Sequence, residues 1–515
     1  MSKCKYTAIN IGPIIKTLGM ARKPRELWAA SYLFSYLMKC IIKVLPQNDI
    51  ISPATFADTE KNGVGLYPDR VFVKGEVKYE TIKSAIDEFA KKVGLQESYF
   101  NVMLVSDEYH KDSAAIKNLN GLLDRMELFN MADEGNSSDK VRDFLIKDNN
   151  AMLVEDAFTG GFPKETLGEI AAVELKDEVS KDEWDLFKKD LKADDNKVSS
   201  DAFKNHLPKD KLKSYHKYIC VVQADGDNVG KTVSHTQLSD GKVKEISKAL
   251  LDFGKAAKTK IVDFGGLPIY AGGDDLLFVA PVVGKSGQNI LELLEDLNDK
   301  SFKGVKEKVC ECGLLNPDDY DKPEEQRVPE DKKTPIEASL SFGVSISYYK
   351  YPLYEALESA RNQLFDRAKH VDGKNAIALD WRKHSGGAFA FQFSKSKDDL
   401  KKAFDDMVKA SEKKVEESVV SAVAHKIREN EGLLKLWIDN DNYKDRNSNF
   451  FQKYLEYNPD KKNKTETDLY KKATLDLLNK LFENKGNMDS DKLTKTMYGM
   501  LRLAKFIKGE EVIDD

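Results

Sequence analysis

Short apolar runs, separated by glycine, asparagine and aspartate, divide the middle of the chain into strand-sized pieces. Tyr218 to Ala224 reads as a buried strand, Leu267 to Ala271 and Leu276 to Ala280 as the arms of a hairpin, Ala338 to Ile346 as an alternating strand, and Ala376 to Leu379 as a last one. Between them the period lengthens to that of a helix. Val243 to Phe264 puts Ile246, Leu250, Phe253 and Ala257 on one face, and Pro352 to His370 does so with Leu353, Ala356, Leu357, Ala360 and Leu364. The order strand, helix, strand, strand, helix, strand, helix, strand predicts a ferredoxin-like palm with one added element.

The polar interruptions carry the candidate chemistry. Gly272-Gly273-Asp274-Asp275 falls at the tip of the expected hairpin. Glycine permits a sharp turn and leaves room for a ligand. Two adjacent carboxylates at a strand edge repel each other unless a cation lies between them, and hard oxygen donors suit Mg2+ or Mn2+ with a nucleoside triphosphate. An ordinary Gly-Asp hairpin turn is the plainer alternative. A second motif weighs against it: the strand from Tyr218 ends in Asp225-Gly226-Asp227-Asn228-Val229-Gly230-Lys231. In an antiparallel or mixed sheet this strand end and the hairpin tip are neighbours. Asp225, Asp274 and Asp275 then form one acidic cluster suited to metal-assisted phosphoryl displacement. Lys231 and Lys369 offer compact positive charge for phosphates; for each, a solvated surface lysine is the alternative.

These pieces resemble the nucleotide cyclase and polymerase palm family, and more closely the large Cas-ten-type subunit of type III CRISPR effector complexes. The resemblance rests on Asp225 to Lys231, the Gly272 to Asp275 turn, the Ser339 to Ser345 strand and the Ala368-Lys369 to Asn375 segment. A separate match, Ile11-Gly12-Pro13 followed by Ala21-Arg22-Lys23-Pro24-Arg25-Glu26-Leu27-Trp28, resembles the opening of the first palm-like domain in the III-B (Cmr) branch. The likeness covers roughly residues 1–390. It implies a metal-dependent nucleotidyltransferase that uses ATP, releases diphosphate and makes an adenylate second messenger in antiviral defence. It implies Asp225, Asp274 and Asp275 as catalytic and metal-holding residues, with Gly226, Asp227, Lys231, Gly272, Gly273, Ser341 and Lys369 around the nucleotide. It further implies partners: other subunits of a III-B complex, and through them crRNA and an activating target RNA.

Two departures narrow this. Family members often begin with an HD nuclease domain, but no His here is followed by Asp, so DNA cleavage is not expected. Many also carry a zinc module. Of Cys4, Cys40, Cys220, Cys310 and Cys312 only the last two are close, too few for four zinc ligands, and they read as reduced cysteines at a helix end. Charged residues make up 32% of the chain and the formal net charge is −5, so the chain as a whole does not attract nucleic acid by charge. No apolar run reaches the ~20 residues of a membrane span, no signal peptide precedes Lys3, and no disulfide-like spacing occurs, which predicts a cytoplasmic protein without a membrane partner.

The expected fold class is α+β, with two ferredoxin-like, cyclase-like palms, a helical insert and a C-terminal helical domain. Residues 1–135 form the first palm, with Leu27 to Val44 as a long core helix; 136–212 form a charge-rich helical connector, for example Ser180 to Leu191; 213–390 form the catalytic-type palm; and 391–515 form a small helical domain. Within the last, Leu400 to Ala410, Val415 to Ile427 and Leu493 to Ile507 have helical spacing, and Tyr457 to Glu466 is a polar break. The family resemblance implies that this end packs against neighbouring subunits. Asn316 to Pro335 is expected to be a solvated loop.

The first palm lacks its own acidic turn. It carries Gly65-Leu66-Tyr67-Pro68-Asp69-Arg70 instead, where the family more often has Asn in place of Asp69. A carboxylate there favours a cationic group and disfavours phosphate. S-adenosylmethionine, with its sulfonium and ammonium, meets that requirement, and HD-less relatives are thought to join AMP to it rather than make cyclic oligoadenylate. Glu155 is a second carboxylate candidate. The competing account of Asp69 is a salt bridge to a nearby arginine. At the level of function, a catalytically silent scaffold competes with the enzyme. The mutually repelling acidic cluster favours the enzyme, and the second palm and the final Asp argue against a free-standing diguanylate-type cyclase.

Overall fold

The computed structural model describes residues 3–55, 61–129, 137–146, 150–163, 165–194, 201–316, 334–371, 373–394, 399–411, 429, 464–484, 488 and 490–509. The expected helix Val415 to Ile427 lies outside them, as do most of the Asn316 to Pro335 loop and the first part of the Tyr457 to Glu466 break. Lys464 to Glu466 begin a helix, Lys464–Glu483.

Two sheets organise the chain. The first contains β1 (Cys4–Gly12), β2 (Ile50–Ser52), β3 (Arg70–Lys74) and β4 (Asn101–Tyr109), in the order β2-β3-β1-β4, with antiparallel neighbours throughout. Helix α1 (Pro24–Val44) leads from β1 towards β2, α2 (Tyr79–Val93) joins β3 to β4, and α3 (Asp112–Phe129) follows β4. The second sheet contains β5 (Tyr218–Asp227), β6 (Leu267–Gly272), β7 (Asp275–Pro281), β8 (Ser339–Tyr348), β9 (Ala376–Arg382) and β10 (Ala388–Ser394), in the order β10-β9-β8-β5-β7-β6. Helix α4 (Lys242–Phe264) joins β5 to β6. Strands β5 to β8 repeat the strand order of β1 to β4, so both units are ferredoxin-like. The added strand β9 runs parallel to β8.

The period-2 alternation of β5 has a direct structural meaning. Cys220, Val222 and Ala224 enter one core, while Ile219 and Val221 enter another. That second core also takes Ile9, Ile11, Val71 and Val73 from the first sheet, and α1 lies within it. Helix α1 therefore buries side chains around most of its circumference, from Leu27 to Ile42. It is the one described helix long and apolar enough to cross a membrane, which corrects the expectation that no such run occurs; most of it is buried in this shared core instead.

Two further differences concern the end of the second palm. Residues 388–394 form β10, a hairpin partner of β9 in register from Ala388 opposite Arg382, although this stretch lies at the expected start of the helical region. Its Phe391 and Phe393 face the same core as Phe404, Met407 and Phe506. The C-terminal helices Asp399–Ala410 and Ser490–Lys508 thus share the palm's core, with Phe506 against both Tyr218 and Trp381. The residue pair Cys310 and Cys312 does stand at the end of a helix, Lys303–Glu311, as free cysteines.

Candidate active site between the two palms

Register places the end of β5 beside β8, with Asp225 opposite Ser341 and Asp227 opposite Ser339. Asp227 is completely buried. It accepts hydrogen bonds from Ser339 Oγ at 2.7 Å, Ser341 Oγ at 2.8 Å, Lys369 Nζ at 2.8 Å and the Asn375 amide at 3.0 Å. A buried carboxylate is tolerated when its lone pairs are satisfied in this way. Lys369 completes the network, donating to the carbonyls of Asp225 and Gly226, each at 2.9 Å, and lying 2.8 Å from Asp225 Oδ2. Burial opposes its charge, but Asp225 and Asp227 outweigh burial and hold its pKa above the usual lysine value. Asp227, Ser341 and Lys369 are thus committed to shaping the strand end.

The hairpin tip reaches the same place. Gly272 pairs with Asp275 across the turn, and Gly273 has φ of +66°, which favours glycine. Gly226 is the point of closest approach: a β-carbon there would lie 2.6 Å from Asp274 Cβ. Asp274 is pushed up to about 7, by burial first and then by the charge of Asp225. Asp275 is exposed on the cleft side while protein crowds around it; the crowding, and then the charges of Asp225, Asp274 and Asp69, raise its pKa well above the ordinary value. Asp225 is also raised, by burial, against the pull of Lys369.

These groups fit a divalent cation in donor type and charge: hard oxygens, with more carboxylates than the one ammonium can offset. Their arrangement departs from the expected cluster in one respect. Among the described residues, no three His, Cys, Asp or Glu side chains are disposed to hold one ion. In this arrangement Lys369 takes Asp225 Oδ2.

The first palm closes over this turn. The Ala271 amide donates to the Gly65 carbonyl at 2.9 Å, and Tyr270 Oη lies 3.5 Å from the Tyr67 carbonyl. Pro68 is the neighbour nearest to Gly273. Asp69 directly precedes β3, the third strand of its repeat, as Asp275 opens β7, the third strand of the other. Two cavities flank this contact. One, of about 450 Å3, is lined by Asp69, Asp275, Tyr270, Gln223, Tyr354 and Arg361 among others. The other, of about 310 Å3, is lined by Asp69, Asp274, Gly273, Gly230, Ser247 and Asn120 among others. Asp69 therefore belongs to both. Burial raises its pKa, and Glu127 and Asp124 push the same way against Arg70.

Other expected residues stand apart. Lys231, on the short helix Val229–Val233, and Glu155, exposed on the helix Ala151–Ala157, line neither of these cavities. Beside Glu155 it is Asp156 that turns inward, accepting from Tyr32 Oη at 2.6 Å and Lys39 Nζ at 3.1 Å. Sequence reasoning missed the cavity residues Gln223, Tyr270, Tyr354, Arg361 and Phe365. The available signal was the mixed aromatic and charged stripe Tyr354, Glu358, Arg361, Phe365 at helical spacing. At the cavity's edge Arg22 stacks on Tyr354, 4.5 Å from the ring centroid.

Comparison with known proteins agrees with this architecture. The model of the Cas10/Cmr2 second palm domain matches residues 218–378, and that of the CRISPR-associated protein Cmr2 N-terminal region matches residues 6–93. The CRISPR system Cmr subunit Cmr2 of Pyrococcus furiosus is 31% identical over 199 residues, which span 34% of this chain and 19% of that protein. The type III-B Cmr-beta apo structure shares the fold with a TM-score of 0.56 at 10% identity, over 99% of this chain and 82% of that chain. The Csm1–Csm4 cassette in complex with cA4 gives 0.51 at 13% identity, over 93% and 70%. Residues 6–93 and 218–378 thus carry, in order on the two sheets, a Cmr2 N-terminal region and a Cas10/Cmr2 second palm domain, and it is this family that the chain resembles.

Proposed function

We propose that the chain is a nucleotidyltransferase that transfers AMP from ATP, releases diphosphate and makes an adenylate second messenger. The observation that carries this reading is the Asp274-Asp275 turn, whose two carboxylates open into two cavities walled by both palms. A reaction between two nucleotides needs two sites meeting at one point, and positioning supplies much of the rate. In the reaction an oxygen nucleophile of the second substrate attacks the α-phosphorus of ATP, a new P–O bond forms, and the bond to diphosphate breaks. A divalent ion at the Asp274-Asp275 turn, joined by Asp225 once Lys369 releases its Oδ2, would neutralise the triphosphate and developing charge. The protein's own contribution is geometric. Asp227, Ser339, Ser341 and Lys369 fix the strand end, Gly226 admits Asp274, and Pro68-Asp69 closes the turn.

The second substrate follows from charge. Asp69 and Asp275 line the larger cavity together, and this favours an adenosine compound bearing positive charge over a second triphosphate. S-adenosylmethionine is that compound, giving an S-adenosylmethionine–AMP conjugate; cyclic oligoadenylate is the alternative product, and the cA4 named with the Csm1–Csm4 neighbour supports an adenylate in either case. By family, the partners are the other subunits of a III-B complex, with crRNA and an activating target RNA. Incubating the assembled complex with ATP, with and without S-adenosylmethionine and target RNA, and identifying products by mass spectrometry tests the reading. A conjugate that requires S-adenosylmethionine supports it; cyclic oligoadenylate alone selects the other product.

One observation favours the silent-scaffold alternative: Lys369 already neutralises Asp225. A complex that binds target RNA yet leaves ATP unchanged would establish that alternative.

A further inference from the structure

Helix α3 presents Asn120, Asp124 and Glu127 on one face, and all three take the same cation. Arg70 Nη1 donates to Asn120 Oδ1 at 2.8 Å, and Nη2 donates to Asp124 Oδ1 at 2.6 Å and lies 3.5 Å from Glu127 Oε2. Spacing of three and four residues on a helix makes such a stripe, and the rigid guanidinium fork holds it. Glu127 is braced from within the sheet, because Nδ2 of the completely buried Asn10 donates to Glu127 Oε1 at 2.9 Å. Asn10 faces Arg70 in the β1–β3 register.

Arg70 is the chain neighbour of Asp69 and its obvious counter-ion. Yet among the described residues no salt bridge joins Asp69 to Arg70, whose two Nη atoms are bonded to α3. The Asp69 backbone is fixed separately, its carbonyl accepting from the Ile11 amide at 3.0 Å. Asp69, Asp124 and Glu127 thus share the field of one guanidinium; Arg70 lines the smaller cavity beside Asp69 but not the larger, whose charged lining is Asp69, Asp275 and Glu358 against Arg361.

We propose that Asn120, Asp124 and Glu127 sequester Arg70 and thereby set the ligand specificity at Asp69, admitting a cationic group and rejecting phosphate. The proposal rests on the reading that the larger cavity takes a cationic adenosine compound. It assigns α3 a part in recognition although none of its carboxylates touches the ligand; they are positioning residues.

The test compares the full chain with D124N/E127Q, R70M and the triple variant D124N/E127Q/R70M, using calorimetric binding of S-adenosylmethionine and of ATP with Mg2+. Asp124 and Glu127 side chains are 60% and 48% exposed, so neutralising them should leave the fold intact. The expected result is about tenfold weaker binding of S-adenosylmethionine in D124N/E127Q, with ATP affinity within about twofold, as one freed charge beside the ligand predicts. Adding R70M should restore most of the affinity, which a merely structural role of α3 would not allow. Unchanged S-adenosylmethionine affinity in D124N/E127Q, or no rescue in a folded triple variant, overturns the proposal. Failure of the underlying reading looks different: the wild-type chain then binds no S-adenosylmethionine. In that case a crystal structure of D124N/E127Q decides the device itself, which stands if the guanidinium has turned to Asp69 and falls if it remains on α3.

Discussion

Gly226 and Asp274 stand so close that a β-carbon on the first would sit 2.6 Å from Cβ of the second. The contact joins the two motifs of the second palm: the end of β5 makes room, and the hairpin tip fills it. A side chain at 226 must push the Asp274 carboxylate away. Gly226→Ala should therefore cost about 1–3 kcal/mol in stability by overpacking, and lower product formation by about a hundredfold through misplacement of a reacting group. Gly121→Ala is the control, since a β-carbon there meets nothing within 4 Å. Comparing melting temperature and turnover in the two variants checks the claim; normal turnover in Gly226→Ala would contradict it.

Lys369 is expected to matter first for the fold. Its removal leaves Asp227 buried with a charge that has lost its ammonium, and breaking such a pair costs about 3–5 kcal/mol. Lys369→Met should show this loss in denaturant titrations. Ser341→Ala removes one of several donors to Asp227 and should cost only about 1–2 kcal/mol. If Lys369→Met instead keeps its stability and loses ATP affinity alone, the lysine is a phosphate ligand, as the sequence first suggested.

Asp69→Asn should separate the two substrates. A carboxylate beside a sulfonium or ammonium gives up to about 4 kcal/mol at ~4 Å before desolvation takes back much of it. Losing a third of that weakens S-adenosylmethionine about tenfold. ATP at the Asp225 and Asp274 side should be affected far less. Equal loss of both ligands, or an unchanged S-adenosylmethionine requirement, would argue against a selective role for Asp69.

The second palm was legible because its signals are local. The β5 to β8 alternation, the α4 period and the Gly-Asp turns each lie within a few residues, and all reappear in the structure. What escaped was set by distance. Asp227 and Lys369 were placed around the nucleotide by resemblance, and the sequence does not show that Ser339, Ser341, Lys369 and Asn375 converge on the Asp227 carboxylate. Strand β10 was absorbed into a helical region because Phe389, Phe391 and Phe393 alternate only briefly before Asp399. The circumference of α1 is apolar because two sheets use it, a fact that no window of sequence contains. Asp69 was placed by resemblance alone; that its neighbour Arg70 turns to α3 depends on residues fifty or more positions away.

The central claim, AMP transfer from ATP at the Asp274-Asp275 turn, is tested most directly by the D274A/D275A variant of the target-RNA-loaded complex. Product masses and diphosphate release are measured side by side with the wild type, in ATP with and without S-adenosylmethionine. Loss of these oxygens should raise the barrier by at least ~3 kcal/mol, more than a hundredfold in rate. The fold should be retained, because the removed carboxylates repel one another. The account predicts an adenylate product and diphosphate from the wild type and neither from the folded variant. Near-wild-type turnover in D274A/D275A, under either substrate condition, would contradict it.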